Sequence, residues 1–129
     1  KSFSSVSKAK QIQQPTESEL RNVLMNLNTF LKNNPLYLDP DLSLKQVANA
    51  LNEKERSISQ SINSIEDRNF KDYINELRIK HAIEQLSTQK EKPIFEVMFE
   101  SGFNSKGPFN SAFKKYTGKT PSEFRYSLE

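Results

Sequence analysis

The sequence predicts an all-α chain: two helix–turn–helix units joined by one long central helix, about seven helices in all. Three observations carry this. Apolar residues recur at helical spacing, as in Leu20, Val23, Leu24 and Leu27 or Ile94, Val97 and Met98. Capping signatures open the runs at Thr16-x-x-Glu19, Ser43-x-x-Gln46 and Thr120-Pro121-Ser122-Glu123. Finally, the stretch from Leu44 aligns with the stretch from Ile94: Leu44 with Ile94, Val47 with Val97, Ala48 with Met98, Asn52 with Gly102 and Ile58 with Phe109. The chain contains a diverged internal repeat.

Residues 1–15 are rich in Ser, Lys and Gln and end at Pro15, a composition expected of a flexible lead-in or linker. The N-terminal helix occupies 16–35. Its stripe Leu20, Val23, Leu24, Leu27, Phe30 and Leu31 reaches about Asn33, and Asn33-Asn34-Pro35 stops it. Such a stripe packs on the next helices of the chain, or in part faces a partner chain or an upstream domain.

The first unit spans 36–68. Leu36 to Asp41 reads as an ordered loop, and Ser43 caps a helix with Leu44, Val47, Ala48 and Leu51 inward. Asn52 stands where the chain must turn, and asparagine tolerates the left-handed conformation better than most residues. A reader helix comes next over about 55–65, with Ile58, Ile62 and Ile65 inward.

The connecting helix spans 69–88. Asn69 caps it, Asp72 suits its first turn, and Phe70, Tyr73, Ile74, Leu77, Ile83 and Leu86 carry it to about Ser87. Eighteen helical residues span roughly 27 Å. Readers in successive major grooves need centres about 34 Å apart. A rigid connector of this length suits that task.

The second unit spans 89–129. The stretch from Pro93 to Arg125 holds all 3 glycines of the chain and most of its 9 phenylalanines. Ser101-Gly102-Phe103 breaks the helical pattern, and Gly102 can take φ > 0 without steric cost. Ser105 is expected to cap a second reader over about 106–116, with Pro108 in its first turn and Phe109 and Phe113 inward. Lys114-Lys115 gives that helix a basic end. A helix, a tight turn and a basic second helix read as a DNA-binding helix–turn–helix.

The run Gly102-Phe103, Ser105, Phe109, Ala112-Phe113-Lys114, Gly118, Thr120-Pro121 and Phe124-Arg125 closely resembles the end of the AraC/XylS family of bacterial transcription regulators. The resemblance extends from Asp41 to Arg125 and takes in Asp72, Ile74, Arg78 and Ala82 of the connector. It implies a homeodomain-like fold, promoter double-stranded DNA as partner, contact with RNA polymerase, and usually activation. It also implies an upstream part that senses a signal and often forms a homodimer.

In the first reader, the inward isoleucines leave Arg56, Ser57, Ser59, Gln60 and Asn63 outward. Arginine pairs with guanine and Gln or Asn with adenine in the major groove. Arg56, Ser59, Gln60 and Asn63 are therefore base-reading candidates, the first three also falling on the family's base-contacting places. In the second reader the resemblance marks Lys106, Gly107, Asn110 and Ser111 as groove-facing, so Lys106, Asn110 and Ser111 join the base readers. Ser57, Ser105, Lys114, Lys115 and Lys119 are assigned to phosphates, which position a protein without reading sequence. Several places depart from the family pattern: Lys54 stands where a capping serine is common, Asp67 where glycine is common, and Met98 where a small residue is common.

Other chemistry is thin. The chain has no cysteine and a single histidine, His81, which reads as a surface or groove residue on the connector. No Gly-rich phosphate loop or nucleophile motif occurs, so neither enzyme nor cofactor nor metal is expected. No apolar run approaches the roughly 18 residues of a membrane span. The expected location is the bacterial cytoplasm, as the end of a longer protein, since the chain opens on Lys1. The net charge is +3. From Asn104 to Arg125 five basic residues face only Glu123, a local patch suited to phosphate. Two other readings stay open: a stand-alone monomeric two-unit regulator, and a helical protein-interaction module without DNA binding, which the acidic Glu53 and Glu55 would favour.

Overall fold

The computed structural model describes residues 14–128, so most of the lead-in expected over 1–15 lies outside the described residues. Among those residues, seven α-helices and one 3-10 turn occur in order: α1 (Glu17–Asn33), the 3-10 turn Leu36–Leu38, α2 (Leu44–Leu51), α3 (Glu55–Glu66), α4 (Phe70–Thr88), α5 (Ile94–Glu100), α6 (Lys106–Thr117) and α7 (Pro121–Ser127).

The caps explain where the helices start. Thr16, Ser43 and Thr120 each accept from the N–H of the third helical residue, whose side chain bonds back to the cap. Asn69 accepts from the Asp72 N–H. Three helices end where a residue turns left-handed: α2 at Asn52 (φ 57), α3 at Asp67 (φ 54) and α6 at Gly118 (φ 78). Within the segment that the sequence reads as an ordered loop, Leu36–Leu38 winds into a 3-10 turn. The reason is packing, since Leu36 and Tyr37 both lie against the first core.

Two apolar cores flank α4. The first joins Leu24, Leu27 and Leu31 of α1, Val47 of α2, Ile58 and Ile62 of α3, and Tyr73 and Ile74 at the start of α4. The second joins Ile79, Ala82 and Leu86 of α4 to Val97 and Met98 of α5, then Phe103, Phe109 and Phe113. The α1 stripe is thus covered within the chain, chiefly by α3. The Tyr73 hydroxyl also donates to Asn28 Oδ1 on α1. In the second core the rings of Phe103, Phe109, Phe113 and Phe124 succeed one another at 5.3, 5.8 and 5.5 Å between centroids. This run accounts for four of the clustered phenylalanines. Phe95 and Phe99 are different: they remain 56% and 45% exposed on α5, packed edge to face.

The end of α6 also meets α4. The Tyr116 hydroxyl, at the far end of α6, donates to the Asp72 carbonyl in the first turn of α4 at 2.9 Å. The C-terminal end of α6 therefore lies against the N-terminal turn of α4.

Candidate nucleic-acid interface

Both units make the same turn between their helices. The Glu53 N–H donates to the Ala48 carbonyl at 2.9 Å, and the Phe103 N–H donates to the Met98 carbonyl at 3.1 Å. Between each pair sits one residue with positive φ, Asn52 at 57° and Gly102 at 97°. Val47 and Val97 are fully buried in their cores, and Ile58 and Phe109 occupy the fourth position of α3 and α6. The repeat read in the sequence is a repeat of backbone hydrogen bonding.

The two turns differ in one respect. An added Cβ at Gly102 would lie 2.4 Å from the Tyr37 carbonyl oxygen and 2.9 Å from Arg78 Nε. Glycine is required there by close approach as well as by φ. Only the second of these requirements is visible in the sequence.

On α3 the inward face is Ile58, Ser61 and Ile62, all buried. Arg56, Ser59, Gln60 and Asn63 stand at i, i+3, i+4 and i+7, so they share one stripe. Arg56 and Asn63 are exposed, while Ser57, Ser59 and Gln60 are half-buried. Asn63 Nδ2 donates to the Ser59 carbonyl at 3.2 Å, so its amide lies along its own helix rather than projecting from it. On α6 the buried residues are Phe109, Ala112 and Phe113. Lys106, Asn110, Ser111 and Lys114 are exposed on the other side.

The starts of both readers lack side-chain caps. Lys54 has no oxygen to offer. Ser105 stands at the N-cap of α6, as the sequence predicts, but its hydroxyl makes no capping bond. An N-cap oxygen takes the N–H of the second or third helical residue; Pro108, the third, has none, and the Gly107 N–H is left unused. Both readers therefore open on unsatisfied N–H groups, which favour anions.

Charge is distributed unevenly. Lys115 Nζ lies 3.4 Å from Asp72 Oδ2 and is committed to α4. Lys114 and Lys119 are exposed and close enough to act on Glu123. The Glu123 carboxyl is held below its ordinary range first by the Thr120 N–H, with both lysines adding. Glu55 is exposed in the first turn of α3, close to Arg56 in sequence. A notch of about 640 Å³ between α5, α6 and α7 opens beside Lys106 and Asn110, walled by Phe95, Met98 and Pro121.

Several important side chains lay outside the sequence reading of the site. Arg78, 9% exposed, donates from Nε to the Tyr37 carbonyl at 2.6 Å and from Nη2 to the Asp39 carbonyl at 2.9 Å. Its Nη1 reaches Asn75 Oδ1 at 3.2 Å, and its guanidinium lies over the Phe103 ring at 5.6 Å. Arg68 bridges Glu66 and Glu76, each at 2.6 Å. His81, expected as a surface or groove residue, is half-buried in a groove beside Tyr37 and Glu84, with Nδ1 3.0 Å from Oγ of the buried Ser101. Burial pulls its pKa below the usual histidine value, while Glu84 and Glu100 act in the opposite sense. The helical position of these residues carries no sign of such partners, because the partners come from other helices and turns.

The helix-turn-helix domain family matches residues 47–127, which include both turns and both reader helices. The chain is 33% identical over 86 residues to the ornithine utilization regulator of Pseudomonas aeruginosa, covering 67% of this chain and 24% of that protein. It is 40% identical over 57 residues to the transcriptional regulatory protein YesN of Bacillus subtilis, covering 43% of this chain and 16% of that protein. The chain thus spans a quarter or less of these curated relatives. Among solved structures, the C-terminal domain of AraT, a response regulator from Geobacillus stearothermophilus, superposes with a TM-score of 0.69 at 26% identity, over 81% of this chain and 84% of that one. A Chromobacterium violaceum transcriptional regulator with an AraC-type DNA-binding domain superposes with a TM-score of 0.71 at 22% identity, over 84% of this chain and 93% of that one.

Proposed function

Because this chain belongs to the AraC-type helix-turn-helix family of DNA-binding transcription regulators, we propose that α3 and α6 are its two sequence readers, entering the major groove of promoter DNA. It is not an enzyme. The observation that carries this reading is the duplicated turn, which presents an uncapped helix with a polar outward stripe twice in one chain.

Arg56, Ser59, Gln60 and Asn63 read bases from α3, and Lys106, Asn110 and Ser111 from α6. Ser57, Ser105, Lys114, Lys115 and Lys119 contact phosphates, with the free N–H groups at the helix starts assisting. Asn63 gives up its bond to Ser59 on engaging a base, and Lys115 does so only in competition with Asp72. The chain acts as the output part of a longer bacterial cytoplasmic regulator that dimerises outside this segment and contacts RNA polymerase as an activator. No helix among the described residues is long and apolar enough to cross a membrane.

The test is selection of duplexes from a random pool by the chain, then footprinting on the selected site. Protection of two adjacent major-groove segments, with Arg56→Ala and Asn110→Ala each altering a different one, is the expected result. Recovery of no enriched sequence at low salt would overturn it.

A further inference from the structure

The two apolar cores meet on α4 between Ile74 and Ile79, and Arg78 sits at that junction. Apolar packing is non-directional, so two separate cores along one helix hold their units loosely with respect to rotation about it. The hydrogen bonds of a guanidinium are directional and forked. Arg78 grips the Tyr37 and Asp39 carbonyls, which lead into the first unit. Its flat face covers Phe103, in the turn of the second. Gly102 in that same turn approaches the Tyr37 carbonyl so closely that no Cβ fits. Three segments, the 3-10 turn, the middle of α4 and the α5–α6 turn, therefore close on one buried side chain.

We infer that Arg78 is a positioning residue for DNA recognition: it keys the turn of the second unit to the entry of the first, and so sets the separation and helical phase of the two readers. This rests on the reading that α3 and α6 both enter DNA. The consequence is a chelate. Once one reader is seated, the other searches at a high effective concentration, but only for a half-site at the matching spacing. Each inserted base pair shifts a half-site by about 3.4 Å and rotates it by roughly a tenth of a turn. A second tie, from Tyr116 to Asp72, joins α6 to α4 alone and does not reach the first unit's entry segment, so it serves as the control.

The experiment uses the 129-residue chain and a duplex that it selects in vitro, together with the same duplex carrying one- and two-base-pair insertions between half-sites and a single half-site duplex. Affinities are measured by fluorescence anisotropy for the parent and for Arg78→Lys, Phe103→Leu and Tyr116→Phe. Arg78→Lys keeps the charge but loses the fork, and Phe103→Leu keeps an apolar side chain but removes the ring.

The parent is expected to lose roughly tenfold or more on a one-base-pair insertion. Arg78→Lys and Phe103→Leu are expected to lose less than about threefold, to bind the uninterrupted site more weakly, and to hold the single half-site as the parent does. Tyr116→Phe should keep the parent's spacing profile. Variants that weaken every duplex equally would overturn the inference, as would an Arg78→Lys chain that circular dichroism finds unfolded. A parent indifferent to spacing would overturn it too, with the DNA reading left standing. Failure of the parent to select or bind any duplex would instead remove the DNA reading on which it rests.

Discussion

Arg78 Nε donates to the carbonyl of Tyr37 at 2.6 Å, across 41 residues of chain. The bond is short and shielded, and the guanidinium has no carboxylate partner within salt-bridge distance among the described residues. Burial accordingly pulls its pKa below the ordinary arginine value, with Asp39 opposing that shift. A charge kept in such a place is held by carbonyl dipoles, and those carbonyls depend on it in return.

Replacing Arg78 by methionine leaves the Tyr37 carbonyl without its donor, while the Asp39 carbonyl keeps the Leu42 N–H at 3.2 Å. An unsatisfied buried group costs about 1–3 kcal/mol, so Arg78→Met should lower unfolding free energy by roughly 1–3 kcal/mol in denaturant titration. Gly102→Ala should cost about as much through a Cβ forced against the Tyr37 carbonyl. An effect under about 0.5 kcal/mol for either, the level of an ordinary surface change, would show that the junction relaxes freely.

Asp67 ends α3 at φ 54, a conformation that disfavours a side chain. Asp67→Gly should raise stability by up to about 1 kcal/mol, the relief of strain exceeding the entropy lost with glycine. Gly118, at φ 78 with open space around it, makes the reverse case: Gly118→Ala should lower stability by about 1 kcal/mol. Thermal melting of both variants decides the point; equal and unchanged midpoints would refute it.

Base contacts and phosphate contacts separate by salt. Arg56→Ala and Asn110→Ala should erase about 1–3 kcal/mol of discrimination each, against competing sequences only. Lys114→Ala and Lys119→Ala should weaken all sequences alike and reduce the salt slope by about 0.9 each. Asp72→Asn releases Lys115 from its partner 3.4 Å away, so it should tighten non-specific binding. Anisotropy across a salt series reads all five variants, and an unchanged slope for both Lys114→Ala and Lys119→Ala removes their phosphate assignment.

His81 is held neutral more readily in the folded chain than in the unfolded one, because burial lowers its pKa. The unfolded state therefore binds the extra proton first as pH falls. Its contribution to stability is complete above the unfolded value of about 6.5 and declines below it, toward the depressed folded pKa. Melting temperature measured from pH 7.5 to 5.5 should fall on acidification, and His81→Gln should flatten that decline. A variant with the parent's slope would assign the pH dependence to other groups.

Local chemistry was legible in the sequence because it is local. Thr16, Ser43, Asn69 and Thr120 cap the helices that they open, and Asn52 takes the left-handed turn, since each needs only neighbours within a few residues. The helical spacing of Ile58 and Ile62, and of Phe109 and Phe113, likewise declared which faces turn inward and which polar stripes remain outside. So did the internal repeat and the family. Ser105 departs from this rule: its hydroxyl makes no capping bond, and Pro108 removes one of the two donors that it could take. What the tertiary structure alone decided is how the two units stand to each other. Arg78 binds carbonyls 39 and 41 residues away and lies over Phe103 in the turn of the second unit. Backbone carbonyls are common to every residue, so no sequence pattern marks which of them a buried guanidinium will find.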